Sequence, residues 1–135
     1  MDNNLEVKIT RQYFAGIPTA TISLKGIIDI FSRSELDKTI ERLLAENIYH
    51  YIFDLSGLQG IGSICLGLFI KIGGETREKS GAVVILNPSE EIKTVFRIIG
   101  LWEYINTAND MESAWRSFLP DGSKNNKLHK KGCII

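Results

Sequence analysis

His50-Tyr51-Ile52-Phe53-Asp54, then SICLGLFIKIGGETREK from Ser63 to Lys79, then Ala82-Val83-Val84-Ile85-Leu86: the reading of this stretch decides the fold. The first segment is mostly apolar and of strand length. The second reads as a helix, apolar in its first half and charged in its second. The third is a short continuous apolar run, the pattern of a central strand covered on both faces. A strand, a helix and a strand in that order predict a crossover between parallel neighbours.

Toward the C-terminus, Asn87-Pro88-Ser89-Glu90 predicts a helix start, with Asn87 as N-cap, Pro88 in the first turn and an acid near the positive end of the dipole. Ile92, Val95, Phe96 and Ile99 make its buried stripe, and Gly100 ends it. Tyr104 to Thr107 reads as a short last strand. Asp110 caps a final helix that turns Met111, Ala114, Trp115 and Phe118 inward.

Toward the N-terminus, Leu5, Val7 and Ile9 alternate with Glu6, Lys8 and Thr10. After a break at Gly16-Ile17-Pro18, Ala20, Ile22 and Leu24 alternate with Thr19, Thr21 and Ser23. This period of two predicts two half-buried strands joined as an antiparallel hairpin. Ser32 with Glu35 has the spacing of a capping box. Leu36, Ile40, Leu43 and Leu44 behind it predict an amphipathic helix to about Glu46.

The order is β-β-α-β-α-β-α-β-α, an α/β protein with a mixed sheet and about four α-helices. Pro120-Asp121-Gly122 marks the end of the domain, so residues 1–119 form it and 120–135 are expected to be a flexible basic tail, dispensable for folding.

The chain has 135 residues, 44% of them hydrophobic, enough for one domain with one core. Sixteen basic residues balance sixteen acidic ones. That balance gives no reason to expect nucleic acid or a membrane as partner. The two cysteines, Cys65 and Cys133, have neither a CxxC nor a zinc-type spacing. A reducing, cytoplasmic location is expected, with no metal and no cofactor. The N-terminus lacks a signal pattern, and Ile61 to Ile72 is too short to cross a bilayer. Cys133 is third from the end, where prenylation requires the fourth.

Few residues offer catalytic chemistry. A Ser-His-Asp or Cys-His site would have to use His50 or His129. The first reads as an ordinary strand-start histidine and the second falls in the tail. Gly57, Gly60 and Gly62 before Ser63 resemble a phosphate-cradling loop, but no lysine follows and the dinucleotide spacing is missing. A flexible strand-to-helix turn is the simpler account. Cys65 is a candidate thiol at a helix start, yet it lies among Ile64, Leu66 and Leu68, as a packed core cysteine does.

Ser63 is the informative residue. It opens the second helix directly after the third strand, and an N-cap role alone accounts for a serine there. Behind it Leu66, Phe69, Ile70 and Gly73 share one helix face. Ile64, Leu68, Lys71, Glu75 and Glu78 share another, whose charged end belongs in water. Ile64 and Leu68 are therefore expected beside Ser63 as an exposed apolar spot, a candidate binding surface.

Several phrases resemble the STAS domain of bacterial anti-sigma-factor antagonists. They are Leu24-Lys25-Gly26-Ile27-Ile28-Asp29, Phe53-Asp54-Leu55-Ser56-Gly57-Leu58, Ser63-Ile64-Cys65-Leu66-Gly67 and Val95-Phe96-Arg97-Ile98-Ile99-Gly100-Leu101. The resemblance covers about residues 5–118. It implies a STAS fold and a partner-switching role in transcription regulation. The antagonist binds an anti-sigma factor that is also a serine-protein kinase. The kinase phosphorylates a serine at the start of the second helix, here Ser63, and a PP2C-type phosphatase restores it. Together with the helix-face reading, this gives Asp29, Gly62, Ser63, Ile64, Leu68 and Lys71 as the expected partner-binding residues. Where the family phrase has an acid before the serine, this chain has Gly62. Where it commonly has Glu in Gly-Glu-Leu-Asp, this chain has Ile27.

Three readings remain open at this point: a phospho-regulated antagonist, a STAS scaffold that binds its partner without phosphorylation, and a small enzyme using Cys65 or Ser63. No base or metal site supports the third, so a binding protein and not an enzyme is expected.

Overall fold

The computed structural model describes residues 5–119, so the expectations for the tail lie outside the described residues. Strand β1 (Leu5–Phe14) pairs antiparallel with β2 (Ile17–Ile28), Leu5 opposite Gly26 and Phe14 opposite Ile17. Ala15 and Gly16 form the turn, both at positive φ (52° and 81°), the combination that matches the twist of a two-residue hairpin. The break therefore falls ahead of Ile17 and Pro18, which already belong to β2.

Strands β3 (His50–Ile61), β4 (Ala82–Leu86) and β5 (Asn106–Ala108) add in sequence order to give one five-stranded sheet, β1-β2-β3-β4-β5. Each of the last three pairs parallel with its predecessor. The helices are α1 (Ile30–Ala45), α2 (Gly67–Glu78), α3 (Glu90–Ile98) and α4 (Met111–Arg116). The expected order of elements is the observed one.

The period of two along the strands sorts their side chains into two cores. Tyr51, Phe53 and Leu55 of β3, with Val83 and Ile85 of β4, pack against Leu36, Ile40 and Leu43 of α1, Leu68, Phe69 and Ile72 of α2, and Ile92 and Phe96 of α3. Crossovers of one hand, taken in strand order, put all three helices on this face. Ile52, Val84 and Leu86 point the other way, onto Ala114 and Phe118 of the α4 end. Strand β4 is thus covered on both faces, as its unbroken apolar run predicts. No helix among the described residues is long and apolar enough to cross a membrane.

Several boundaries differ from expectation, each for a local reason. Strand β3 runs seven residues beyond Asp54 because it is bulged. Between Ser23 and Lys25 its partner β2 advances two residues while β3 goes from Asp54 to Gly57, and between Gly26 and Ile27 one residue matches Leu58 to Gly60. Each extra residue breaks the alternation that would mark a strand. Gly57 and Gly60 accordingly lie inside β3 and not in a flexible turn. The N-cap of α1 is Asp29, not Ser32, and that of α3 is Ser89, not Asn87, which adopts φ 53° just before it. The last strand begins at Asn106, because Leu101–Glu103 forms a 3₁₀ turn ahead of it. Asp110 caps α4 as expected, its side chain accepting from the Ser113 N–H at 2.7 Å.

Candidate functional site

Strands β2 and β3 end together. Ile28 stands opposite Ile61, and the Gly62 N–H donates to the Ile28 carbonyl at 2.9 Å. From there one chain segment enters α1 and the other enters a 3₁₀ turn, Ser63–Cys65, that leads into α2. Two helical starts therefore lie side by side at the carboxyl ends of two parallel strands.

The α1 start is tied down by a reciprocal box. The Asp29 side chain accepts from the Phe31 and Ser32 backbone N–H groups at 3.1 and 2.9 Å, and the Asp29 N–H donates to the Ser32 hydroxyl at 2.8 Å. Asp29 thus contributes to this surface by fixing the first turn of α1. Ser32, expected at the N-cap, is the other half of the same box and is buried.

The turn after β3 is anchored by Cys65, which is fully buried, and by its N–H donating to the Gly62 carbonyl at 2.8 Å. Burial pushes the Cys65 thiol up from its ordinary pKa, with Arg33 opposing. A reactive cysteine needs the opposite shift, so Cys65 is the packed core residue the sequence suggested.

Ser63 is exposed. It is not the N-cap: Gly62 holds that place, and no side chain caps the turn. The Ser63 hydroxyl makes no hydrogen bond among the described residues. Capping therefore does not account for this serine. Beside it Ile64 is 68% exposed, and the start of α1, which Arg33 ties to this turn, carries two residues that the sequence pattern did not single out: Phe31 at 81% and Ile30 at 59%. Ile30 and Phe31 lie off the Leu36/Ile40/Leu43 stripe of their own helix, and that is the signal that could have found them. Arg33, also missed, bridges the two starts: its Nη1 donates to the Ile64 carbonyl at 3.0 Å and its Nε to Asp37 at 3.2 Å.

Leu68 is a correction. It is 1% exposed and packs in the core. The buried stripe is Cys65, Leu68, Phe69, Ile72, Gly73 and Thr76, and Ile70 is the residue that faces out. Apolar residues run all round the first two turns, so their spacing does not choose a phase. The 3₁₀ turn, at three residues per turn, also rotates α2 relative to an α-helix counted from Ser63. Lys71 is exposed as expected, on the side of α2 toward α1, with its Nζ 3.9 Å from Glu41. The structure thus brings Asp29, Gly62, Ser63 and Ile64 together, sets Lys71 apart, and places Leu68 beneath.

On the α3 side, Gln59, Gly60 and Ile61 face Glu90, Glu91, Ile92, Thr94 and Val95 across an open cleft of about 540 Å³. Catalytic pairing of Ser63 with His50 is excluded by distance. His50 opens β3 and Ser63 follows its end, and a strand of twelve residues separates them by roughly 30 Å or more. His50 instead packs edge-on against Phe118, ring centroids 4.8 Å apart.

These features define an α/β domain whose candidate site is an exposed serine turn at the carboxyl ends of two parallel strands. The chain belongs to the STAS domain family, whose model matches residues 12–114. Among curated proteins none matches it. Its fold is similar to that of the anti-sigma factor antagonist SpoIIAA in its unphosphorylated form, with TM-score 0.67, 22% identity, and coverage of 82% of this chain and 96% of that one. The Bacillus cell fate determinant SpoIIAA in the phosphorylated form gives TM-score 0.64 and 22% identity over 82% of this chain and 99% of that one. An anti-sigma factor antagonist from Mycobacterium paratuberculosis gives TM-score 0.60 and 20% identity over 84% and 94%.

Proposed function

We propose that this protein is an anti-sigma-factor antagonist that binds an anti-sigma factor/serine kinase through the surface around Ser63, and that phosphorylation of Ser63 ends the binding. A PP2C-type phosphatase returns the protein to its binding form, and the cycle runs in the cytoplasm. The observation that carries this reading is Ser63 itself: an exposed hydroxyl with no capping role, next to the exposed Ile64 and to the α1 start that carries the exposed Ile30 and Phe31. Membership of the STAS family supports it, as does likeness to a protein known in phosphorylated and unphosphorylated forms.

The physics of the switch is local. A phosphoserine adds a charge of about −1.5 to −2 at neutral pH. Against an apolar partner that charge has to be desolvated, at a cost of several kcal/mol unless the partner supplies cations. The fold gives no reason for the phosphate to disrupt it, because Ser63 is exposed and its side chain caps no helix.

One observation favours a second reading, a STAS scaffold that binds without phosphorylation. Gly62 stands where the family carries an acid, although a Cβ there would meet only ordinary contacts, 3.6 Å from the Ile28 carbonyl and 3.8 Å from the Cys65 sulfur. Incubation with the captured partner kinase and ATP, followed by mass-spectrometric site mapping, separates the two. Phosphate on Ser63 supports the switch. Tight binding with no phosphate on Ser63 supports the scaffold.

A further inference from the structure

We propose that Arg33 is the cation that receives a phosphate on Ser63, clamping the modified turn onto α1. The inference rests on the reading of Ser63 as a phosphorylation site and adds to it the residue that stabilises the modified state.

The geometry is already half-built in the unmodified protein. Arg33 reaches from α1 across to the turn that carries Ser63 and donates Nη1 to the Ile64 carbonyl, one residue from Ser63, at 3.0 Å. Its Nε is held by Asp37 at 3.2 Å, an i,i+4 pair along α1. With its side chain 28% exposed, the guanidinium is partly withdrawn from water and fixed at both ends. Guanidinium presents five N–H donors in a planar fork, so donors remain after these two bonds. A phosphate dianion is the ligand that such a fork matches.

The surrounding charges favour the same assignment. The Asp29 carboxylate is turned to the backbone amides of α1, and Asp37 is engaged with Arg33 itself. Lys71, on α2, stands beside Glu41 of α1. Gly62 places no acid next to the serine, so nothing adjacent in the chain repels a phosphate. At the Cys65 thiol inside the turn Arg33 is the largest charge influence, with Asp29 and Asp37 acting in the opposite sense. The Ser63 hydroxyl has no competing partner among the described residues. In the clamped state the turn keeps its backbone course, and the apolar face of Phe31 and Ile64 acquires a filled anion site at its centre.

The test installs phosphoserine at position 63 of the full chain during translation, so no kinase is needed, and follows its second ionisation by phosphorus NMR. An unperturbed phosphoserine titrates near about pH 6. With Arg33 present the midpoint lies below that value, and Arg33→Gln raises it by about half a unit or more, the expected effect of removing an adjacent cation. Arg33→Lys retains part of the shift. In the unsubstituted protein the Arg33 Nε–H resonance moves as the phosphate ionises, a readout that does not depend on any variant folding. An unchanged midpoint in a folded Arg33→Gln protein, or an Arg33 resonance that ignores the phosphate, overturns the proposal. A kinase that leaves Ser63 unmodified counts instead against the phospho-switch, and the NMR result separates the two failures.

Discussion

Replacing Leu68 by alanine and Ile64 by alanine makes a matched pair that tests the placement of the site. Leu68 is 1% exposed and packs in the main core between sheet and helices. Truncating such a leucine loses its transfer free energy and leaves a cavity, a cost of about 3 kcal/mol. Ile64 is 68% exposed, so it has buried only about a third of its side chain. The same truncation there costs about 0.5 kcal/mol. For a domain of this size 1 kcal/mol moves the melting temperature by about 4 °C. Leu68→Ala therefore lowers it by about 12 °C and Ile64→Ala by about 2 °C on that scale. Thermal and urea unfolding, monitored by circular dichroism, read both values. Partner binding runs the other way: Ile64→Asp leaves the spectrum native and weakens capture of the kinase, whereas Leu68→Asp fails to fold. A stable Leu68→Ala protein beside a crippled Ile64→Ala protein would refute the helix phase and, with it, the apolar surface around Ser63.

Three further outcomes are expected. Gly81→Ala would bring a Cβ within 1.9 Å of the Tyr49 carbonyl oxygen, a backbone atom that cannot step aside, so urea unfolding should show a loss of at least about 2 kcal/mol. Asp29→Ala removes the α1 cap and should cost about 1 kcal/mol, with Asp29→Asn recovering most of it. Burial lowers the His50 pKa, so the unfolded chain takes up a proton more readily than the folded one. The stability that neutral His50 contributes is full above the ordinary histidine value of about 6.5 and is lost as pH falls below it. His50→Gln should flatten that part of a melting-temperature profile, and an equal slope in both proteins would count against the assignment.

Much of the fold was legible because its signals are local. The alternation at Leu5–Ile9 and Ala20–Leu24, the unbroken run at Ala82–Leu86, and Asp110 ahead of Met111 each encode one element without reference to the rest. What was not legible depends on contacts between elements. The second half of β3 is disguised by two bulges that only its pairing with β2 reveals. Asp29 is the cap because β2 stops at Ile28, which makes Ser32 the N3 half of its capping box and not the cap itself. The site was half-legible: Ile64 is exposed beside Ser63 as expected, but the two stand on a 3₁₀ turn ahead of α2, and Leu68 was put on the wrong face, since apolar residues encircle the start of α2. Phe31, Ile30 and Arg33 join the site only because two strands end side by side, which no window of sequence contains.

The measurement that bears most directly on the proposed switch is calorimetric titration of the captured anti-sigma kinase with two forms of this protein, unmodified and carrying phosphoserine at position 63. The phosphate is expected to weaken binding at least tenfold, about 1.4 kcal/mol, while the melting curve stays in place. Ser63→Ala binds like the native protein in the same experiment. Equal affinities for the two forms would contradict the switch, and so would a loss of binding that comes with a loss of fold.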